Sequence, residues 1–151
     1  MRQASHHLTV ATKGRGLVEI TDEIASYLAL TGFETGLLTV FCPHTSASLL
    51  IQENADADVR ADLETWFDRA APEGSGRYKH DTEGPDDMPS HIRAALTQTQ
   101  LSIPIITGRL ALGTWQGVYL FEHRRAPQRR EVVLHVLGEW APVGAGRDAA
   151  G

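Results

Sequence analysis

Hydrophobic and polar positions along the chain change period several times, and each change marks an element. Residues 5–12, SHHLTVAT, alternate, with Leu8 and Val10 against polar neighbours, and predict a half-buried strand. The spacing lengthens in LVEITDEIASYLALTG, where Ile24, Tyr27 and Leu28 share a helical face. Thr21 or Asp22 is the expected cap there and Gly32 the expected stop. Two apolar runs, Leu37–Phe41 and Ala47–Ile51, read as strands joined by CPHTS, as a hairpin or as a sharp corner between strands. A second helix is predicted in ADADVRADLETWFDRAAP, with acids in its first turn, Val59, Leu63, Trp66 and Phe67 at helical spacing, and Pro72 beyond its end.

The stretch EGSGRYKHDTEGPDD has no period, and a loop of that length within a compact domain is uncommon and often functional. A short helix follows in MPSHIRAALTQTQ, with Pro89 suited to its first turn. Three strands are predicted to end the fold, in LSIPIITGRL, GTWQGVYLFEH and EVVLHVLGEW, before a small, polar tail at 141–151 that is expected to fray. The order β-α-β-β-α-α-β-β-β indicates an α+β domain with about three helices on a largely antiparallel sheet or sandwich.

Composition narrows the possibilities. A chain of 151 residues suits one domain. Its net charge of −5 argues against general nucleic-acid binding, although HRRAPQRR at 123–130 is locally basic. No apolar run approaches a membrane span, and MRQASHHLTV lacks the apolar core of a signal peptide, so a cytoplasmic protein is expected. The single cysteine, Cys42, excludes an internal disulfide and lies in an apolar run, where thiols are inert.

Candidate chemistry gathers in PHTSAS, YKHDTEG, MPSHI and GTWQGVYLFEH. His44 ends a strand, His80 sits in the long loop, and His91 opens a helix. Three neutral imidazoles can ligate zinc and leave a position for water or substrate. Their spacing alone does not identify a shared site and favours separately solvated or hydrogen-bonded histidines. His135 reads as an outward-facing strand residue, and His123 as a partner for Glu122. Glu122 suits an acid, a base or an ion pair, and Asn54 closes a strand. Trp115 offers a stacking face beside the amide of Gln116, against the plainer reading of a core tryptophan and a solvated glutamine. Arg124, Arg125, Arg129 and Arg130 could receive a phosphate, or form a solvated hairpin tip. A serine nucleophile at Ser46 or Ser48 lacks a GxSxG elbow.

Taken in order, PHTSASLLIQENADADVRADL, YKHDTEGPDDMPSHIRAAL, IPIITGRLALGTWQGVYLFEHR and VVLHVLGE resemble the YjbQ family over about residues 5–140. The resemblance implies an α+β fold of β-sandwich character, assembled as a homotrimer. It implies secondary thiamine-phosphate synthase activity, joining hydroxymethylpyrimidine diphosphate to thiazole phosphate with release of pyrophosphate. His44, His80 and His91 would then hold a metal such as Zn²⁺. Glu122, Gln116 and Asn54 would be catalytic groups, and Trp115, Thr45, Ser46 and Arg129 would bind a small phosphorylated substrate. Mg²⁺ could accompany the diphosphate at Asp86 and Asp87, although PDDMP also reads as a helix start. Ser48 replaces the glycine usual in the family motif, adding a side chain near His44 that is expected to narrow that corner and to leave the ligand set intact. The alternatives are another metal-dependent enzyme, such as a hydrolase, and a trimeric binding protein without catalysis. Neither nucleic acid nor membrane is expected as a partner.

Overall fold

The computed structural model describes residues 1–140; the tail expected to fray, 141–151, lies outside the described residues. Eight strands and three helices follow the chain: β1 Arg2–Ala11, β2 Gly16–Glu19, α1 Thr21–Thr31, β3 Phe33–Phe41, β4 Ala47–Glu53, α2 Ala57–Ala70, α3 Asp87–Leu96, β5 Gln100–Ile106, β6 Arg109–Leu110, β7 Gln116–Glu122 and β8 Arg129–Trp140. They form a five-stranded sheet, β1-β8-β3-β5-β6, and a three-stranded sheet, β2-β7-β4, with every pairing antiparallel. No helix among the described residues is long and apolar enough to cross a membrane.

Strand alternation decides the layering. Leu38 and Val40 of β3, Ile103 and Ile105 of β5, and Val132, Leu134 and Val136 of β8 are buried on one face of the larger sheet. They share a core with Leu49 of β4, Val118 and Leu120 of β7, and Ile24 and Leu28 of α1. The helical face read from the sequence is therefore the one α1 buries, and Gly32 ends the helix at a left-handed φ of 72°. The cap differs from expectation: Ile20 precedes the helix without a side-chain bond, and the Thr21 hydroxyl instead accepts the amide of Val118 at 2.9 Å.

β7 is buried on both faces. Phe121, on the side away from the core, takes the edge of Phe67 from α2. α2 thus forms a third layer, with Asp56 capping the Asp58 amide at 2.9 Å. Of its apolar residues only Phe67 is buried; Trp66 is exposed, because one helix resting on one small sheet needs only a narrow contact stripe.

The CPHTS junction is a corner and not a hairpin, since β3 belongs to the larger sheet and β4 to the smaller. The expected strand over LSIPIITGRL breaks into a tight hairpin, with Thr107 and Gly108 at φ 48° and 73° between β5 and β6. β2, too short to show a period, escapes sequence reading.

At the centre of the larger sheet Gly36 and Gly138 face each other across β3 and β8. A Cβ on Gly36 would overlap the Leu137 carbonyl, and one on Gly138 the Thr35 carbonyl. Backbone in mid-sheet cannot step aside. Gly36→Ala is therefore predicted to lower unfolding free energy by about 1–3 kcal/mol, as overpacking does, measured by urea denaturation at pH 7.

Candidate metal centre

The centre starts from a helix period. Asp87 opens α3 and His91 follows four residues later, so their side chains stand on one face. The loop before α3 brings His80 to the same place. Asp87 is 1% exposed. Its Oδ1 lies 3.3 Å from His91 Nε2 and 3.1 Å from Arg124 Nη1, and its Oδ2 lies 2.8 Å from His80 Nε2. The His80 contact is at ion-pair distance but is not aligned as a hydrogen bond, so the buried Oδ2 accepts none. His80 and His91 stand edge to face with ring centroids 5.2 Å apart. One ligand atom from each of the three residues lies within 4.8 Å of the others.

A main-chain contact fixes the tautomer of His91. Its Nδ1 lies 3.0 Å from the Thr45 carbonyl, which can only accept, so Nδ1 carries the proton and neutral His91 presents a lone pair at Nε2. That lone pair and the Asp87 carboxylate then face each other, an arrangement that calls for a proton or a cation between them. A backbone carbonyl behind an imidazole is the usual support of a metal-ligating histidine. The donor set of two imidazoles and one carboxylate fits Zn²⁺ or a related first-row ion. Arg124 holds the carboxylate from behind, and its Nε also binds Asp86 at 3.1 Å while Nη2 binds the Glu83 carbonyl at 2.8 Å. This guanidinium fastens the His80 loop and the start of α3 to the end of β7.

His44 stands apart from this group. Its Nε2 accepts the amide of Glu131 at 3.0 Å, so the lone pair expected for a metal is spent on β8. Burial, with Arg130 nearby, holds its pKa below the ordinary value. His44 and His91 do share one shallow cavity of about 290 Å³, also lined by Thr45, Ala94, Ala95 and Thr99. PHTSAS thus serves the centre through a carbonyl, and Asp87 is the third convergent group.

The other candidates separate into two places. Glu122 is fully buried and gripped by Arg130, whose Nε lies 2.7 Å from Oε2. It also accepts the Thr12 hydroxyl at 2.9 Å and the amides of His123 and Arg124 at 3.1 Å each. With both oxygens engaged it is an ion-pair partner, not an available base. Ser46 accepts Arg130 Nη2 at 3.0 Å. Thr45 and Arg129 are exposed, and it is Arg130, not Arg129, that is built into the interior.

Gln116 pairs with Glu53, whereas Glu122 pairs with Ala47. Trp115, Gln116 and Asn54 therefore lie at the far end of the smaller sheet, roughly 20 Å from PHTSAS at strand rise. Gln116 Oε1 accepts the Gly113 amide at 2.7 Å, the Asn54 amide donates to the Trp115 carbonyl at 3.0 Å, and Trp115 is 64% exposed. Within one chain these three do not reach the histidines.

Ser48 does not narrow the corner beside His44. It is fully buried and its Oγ lies 2.8 Å from His123 Nε2 and within hydrogen-bond reach of Thr97. A Ser–His pair thus exists, but it is sealed from solvent. Burial, reinforced by Arg93, Arg130 and Arg15, pushes His123 down to about 3, which makes it a poor base. His123 therefore pairs its ring with Ser48 and only its amide with Glu122. His135 faces outward on β8 and meets Gln3 at 3.2 Å.

The fully buried Arg93, bound to Asp68 at 2.6 Å and Glu64 at 3.4 Å, gave no sequence signal beyond its helix position. Asp87 did give one: aspartate and histidine four apart in a helix are neighbours.

A family model described as UPF0047 protein YjbQ-like matches residues 6–139. The chain belongs to the YjbQ/UPF0047 family. It is 55% identical to UPF0047 protein sll1880 of Synechocystis over 138 residues, covering 91% of this chain and 94% of that one. It is 45% identical to UPF0047 protein YjbQ of Escherichia coli O157:H7 over 133 residues, covering 87% and 96%. Among solved structures, the conserved hypothetical protein TT1486 of Thermus thermophilus superposes with a TM-score of 0.78 at 36% identity, covering 87% and 99%. A YjbQ/UPF0047 protein of Clostridium acetobutylicum gives 0.76 at 35%, covering 89% and 99%. These relatives carry the α+β fold expected from the sequence.

The depressed pKa of His123 yields a prediction with a definite sign. Between about 6.5 and about 3 the unfolded chain takes up a proton that native His123 refuses. Its effect is absent above that window, and stability falls as pH drops through it, by at most about 1.4 kcal/mol per pH unit. His44, also lowered, adds in the same direction. Urea unfolding from pH 7 to pH 4 should show this fall, and His123→Gln should flatten the slope by up to one proton. Asp86 acts at the acid end only: burial tends to raise its pKa, but the Arg125 amide and Arg124 outweigh that and lower it, so its contribution is present above its ordinary value of 3.8 and is lost as pH falls through and below it.

Proposed function

We propose that His80, Asp87 and His91 bind a divalent transition metal and that the protein is a metal-dependent enzyme. The observation carrying this reading is the buried Asp87 carboxylate set against two imidazoles, Oδ2 facing His80 Nε2 and Oδ1 facing His91 Nε2, with His91 held by Thr45 in the tautomer a metal requires. When bound, such an ion supplies Lewis acidity and lowers the pKa of water. The chain's own residues do the rest. Arg124 orients Asp87, the Thr45 carbonyl orients His91, and the hollow lined by His44, Thr45 and Thr99 offers the space beside His91 where a substrate can lie.

Two reactions suit this centre. Hydrolysis needs an activated water and is favoured by the state of the arginines. Arg124 is engaged by Asp86 and Asp87, Arg125 by Glu73 and Arg130 by Glu122, which leaves none of the three free to receive a diphosphate. Thiamine-phosphate synthesis is favoured by the family resemblance. In it the thiazole nitrogen bonds to the pyrimidine methylene carbon as the carbon–oxygen bond to diphosphate breaks. The metal site, with or without Mg²⁺ brought by the substrate, would have to meet the charge of that leaving group. Asp86 and Asp87 are not free to hold Mg²⁺ by themselves while Arg124 binds both.

We also propose that the chain assembles with itself, as a trimer by the family resemblance, in the cytoplasm. Leu37 and Leu137 pair across the outer face of the larger sheet and are 42% and 40% exposed, with Phe41 at 41% on the same face. The edge of β1, ten residues long, has no strand beside it among the described residues.

Protein purified without added metal should hold about one equivalent of zinc or another transition metal per chain. His80→Ala, His91→Ala and Asp87→Asn should each lose the metal, while His44→Ala keeps it; Arg124→Gln, which removes a support of Asp87, should weaken it by roughly ten- to a hundredfold. Elemental analysis and competition with a chromogenic chelator read the result. Thiamine-phosphate formation and phosphoester or amide hydrolysis, assayed on the same samples, should rise and fall with metal content. Full activity in metal-free protein would reject the reading.

A further inference from the structure

A second cavity, larger than the hollow beside His44, lies between α1 and the segment joining β6 to β7. Its volume is about 470 Å³, within the range of small-molecule sites. Ala25, Leu28 and Ala29 of α1 line it together with Leu110 and Leu112, so most of what a ligand would touch is aliphatic. Two polar groups in the lining are uncommitted in a way that the polar groups around the metal centre are not. Arg109, exposed at the rim near the Glu34 carboxylate, has no carboxylate within 4.0 Å among the described residues, as is also true of Arg2, Arg60, Arg69, Arg77 and Arg129, whereas Arg15, Arg93, Arg124, Arg125 and Arg130 each hold one or more. Gln116 spends its Oε1 on the Gly113 amide, which leaves its NH₂ as a donor. Thr21, the remaining polar residue of the lining, has its hydroxyl occupied by the Val118 amide.

We infer that this cavity binds a small amphipathic anion, a monocarboxylate with an aromatic or branched apolar body. The apolar body fills the space between α1 and Leu110 and Leu112. The carboxylate meets the Arg109 guanidinium and the Gln116 amide, a pairing that supplies both charge and hydrogen bonds. The cavity is distinct from the metal centre, because Gln116 and PHTSAS lie at opposite ends of the β4–β7 pair. It also gives Gln116 a role that does not require contact with the histidines.

The probe is 3-phenylpropionate, with uncharged 3-phenylpropanamide as its control, titrated into the full chain by calorimetry and by ¹⁵N-resolved NMR. Saturable binding at one site per chain is expected, shifting the amides of Ala25, Leu110, Leu112 and Gln116. The amide control should bind about fivefold more weakly, and Arg109→Gln should erase that difference. Ala25→Trp, at an exposed helix position, should abolish binding of both compounds while the circular dichroism is retained. The NMR shifts in the unmodified chain test the site even if that variant fails to fold. The inference is overturned by absence of saturable binding at millimolar probe, by shifts confined to the His80–His91 region, or by equal affinity of both compounds for the unmodified chain. It is likewise overturned if Ala25→Trp converts an oligomer to monomer in sedimentation without any probe uptake by the parent, since a second copy would then be the occupant.

Discussion

The buried ion pair of Glu122 and Arg130 is the joint on which the rest of the molecule depends. Glu122 ends β7 in the smaller sheet and Arg130 lies at the start of β8 in the larger, so the pair links the two layers. Taking two charges out of water is costly, and here the cost is offset by complete satisfaction of the carboxylate through Thr12 and two backbone amides. Loss of either partner would leave the other buried and unpaired, a penalty on the order of 3–5 kcal/mol. Arg130 also binds the carbonyl and hydroxyl of Ser46, which pins the corner where the chain leaves one sheet for the other. One residue before Ser46 is Thr45, whose carbonyl sets the tautomer of His91. Two residues beyond Glu122 is Arg124, which holds Asp87. The candidate metal centre is thus assembled on both sides of one ion pair.

Charge around this joint is almost entirely spent within the protein. Arg15 and Arg125 share Glu73, Arg93 takes Glu64 and Asp68, and Arg124 takes Asp86 and Asp87. Such a region is rigid, and it leaves little positive charge for a highly anionic substrate. Burial raises the pKa of Glu64 against the pull of Arg93, a sign that even paired carboxylates here are poorly solvated. His123 lies inside this region, neutral and bonded to Ser48, and serves packing more than proton transfer.

Much of the fold was legible because its elements carry their own periods. Ile24 and Leu28 marked the buried face of α1, and the alternation of Val132, Leu134 and Val136 marked the buried face of β8. What was not legible were pairings between distant parts of the chain. Nothing local says that His44 will dock on the Glu131 amide 87 residues away, or that the Thr12 hydroxyl will reach Glu122 from 110 residues away. The site was legible in part for the same reason. His80 and His91 could be chosen as imidazoles near changes of backbone geometry, but the choice of His44 over Asp87 turned on three-dimensional placement. The i, i+4 spacing of Asp87 and His91 was the one local clue. The arginines of HRRAPQRR could be read as a phosphate site or as a solvated tip because sequence shows their charge and hides their partners. Arg130 proved to be an interior brace and Arg124 a half-buried one, whereas Arg129 is exposed.

Anomalous diffraction at the zinc edge, from crystals of the intact protein grown with one equivalent of Zn²⁺ per chain, tests the metal assignment most directly. The geometry predicts a single peak per chain bonded to Nε2 of His80, Nε2 of His91 and the carboxylate of Asp87, with His44 still bound to the Glu131 amide. A peak ligated by His44 in place of Asp87, or no ordered metal at these residues, would contradict it.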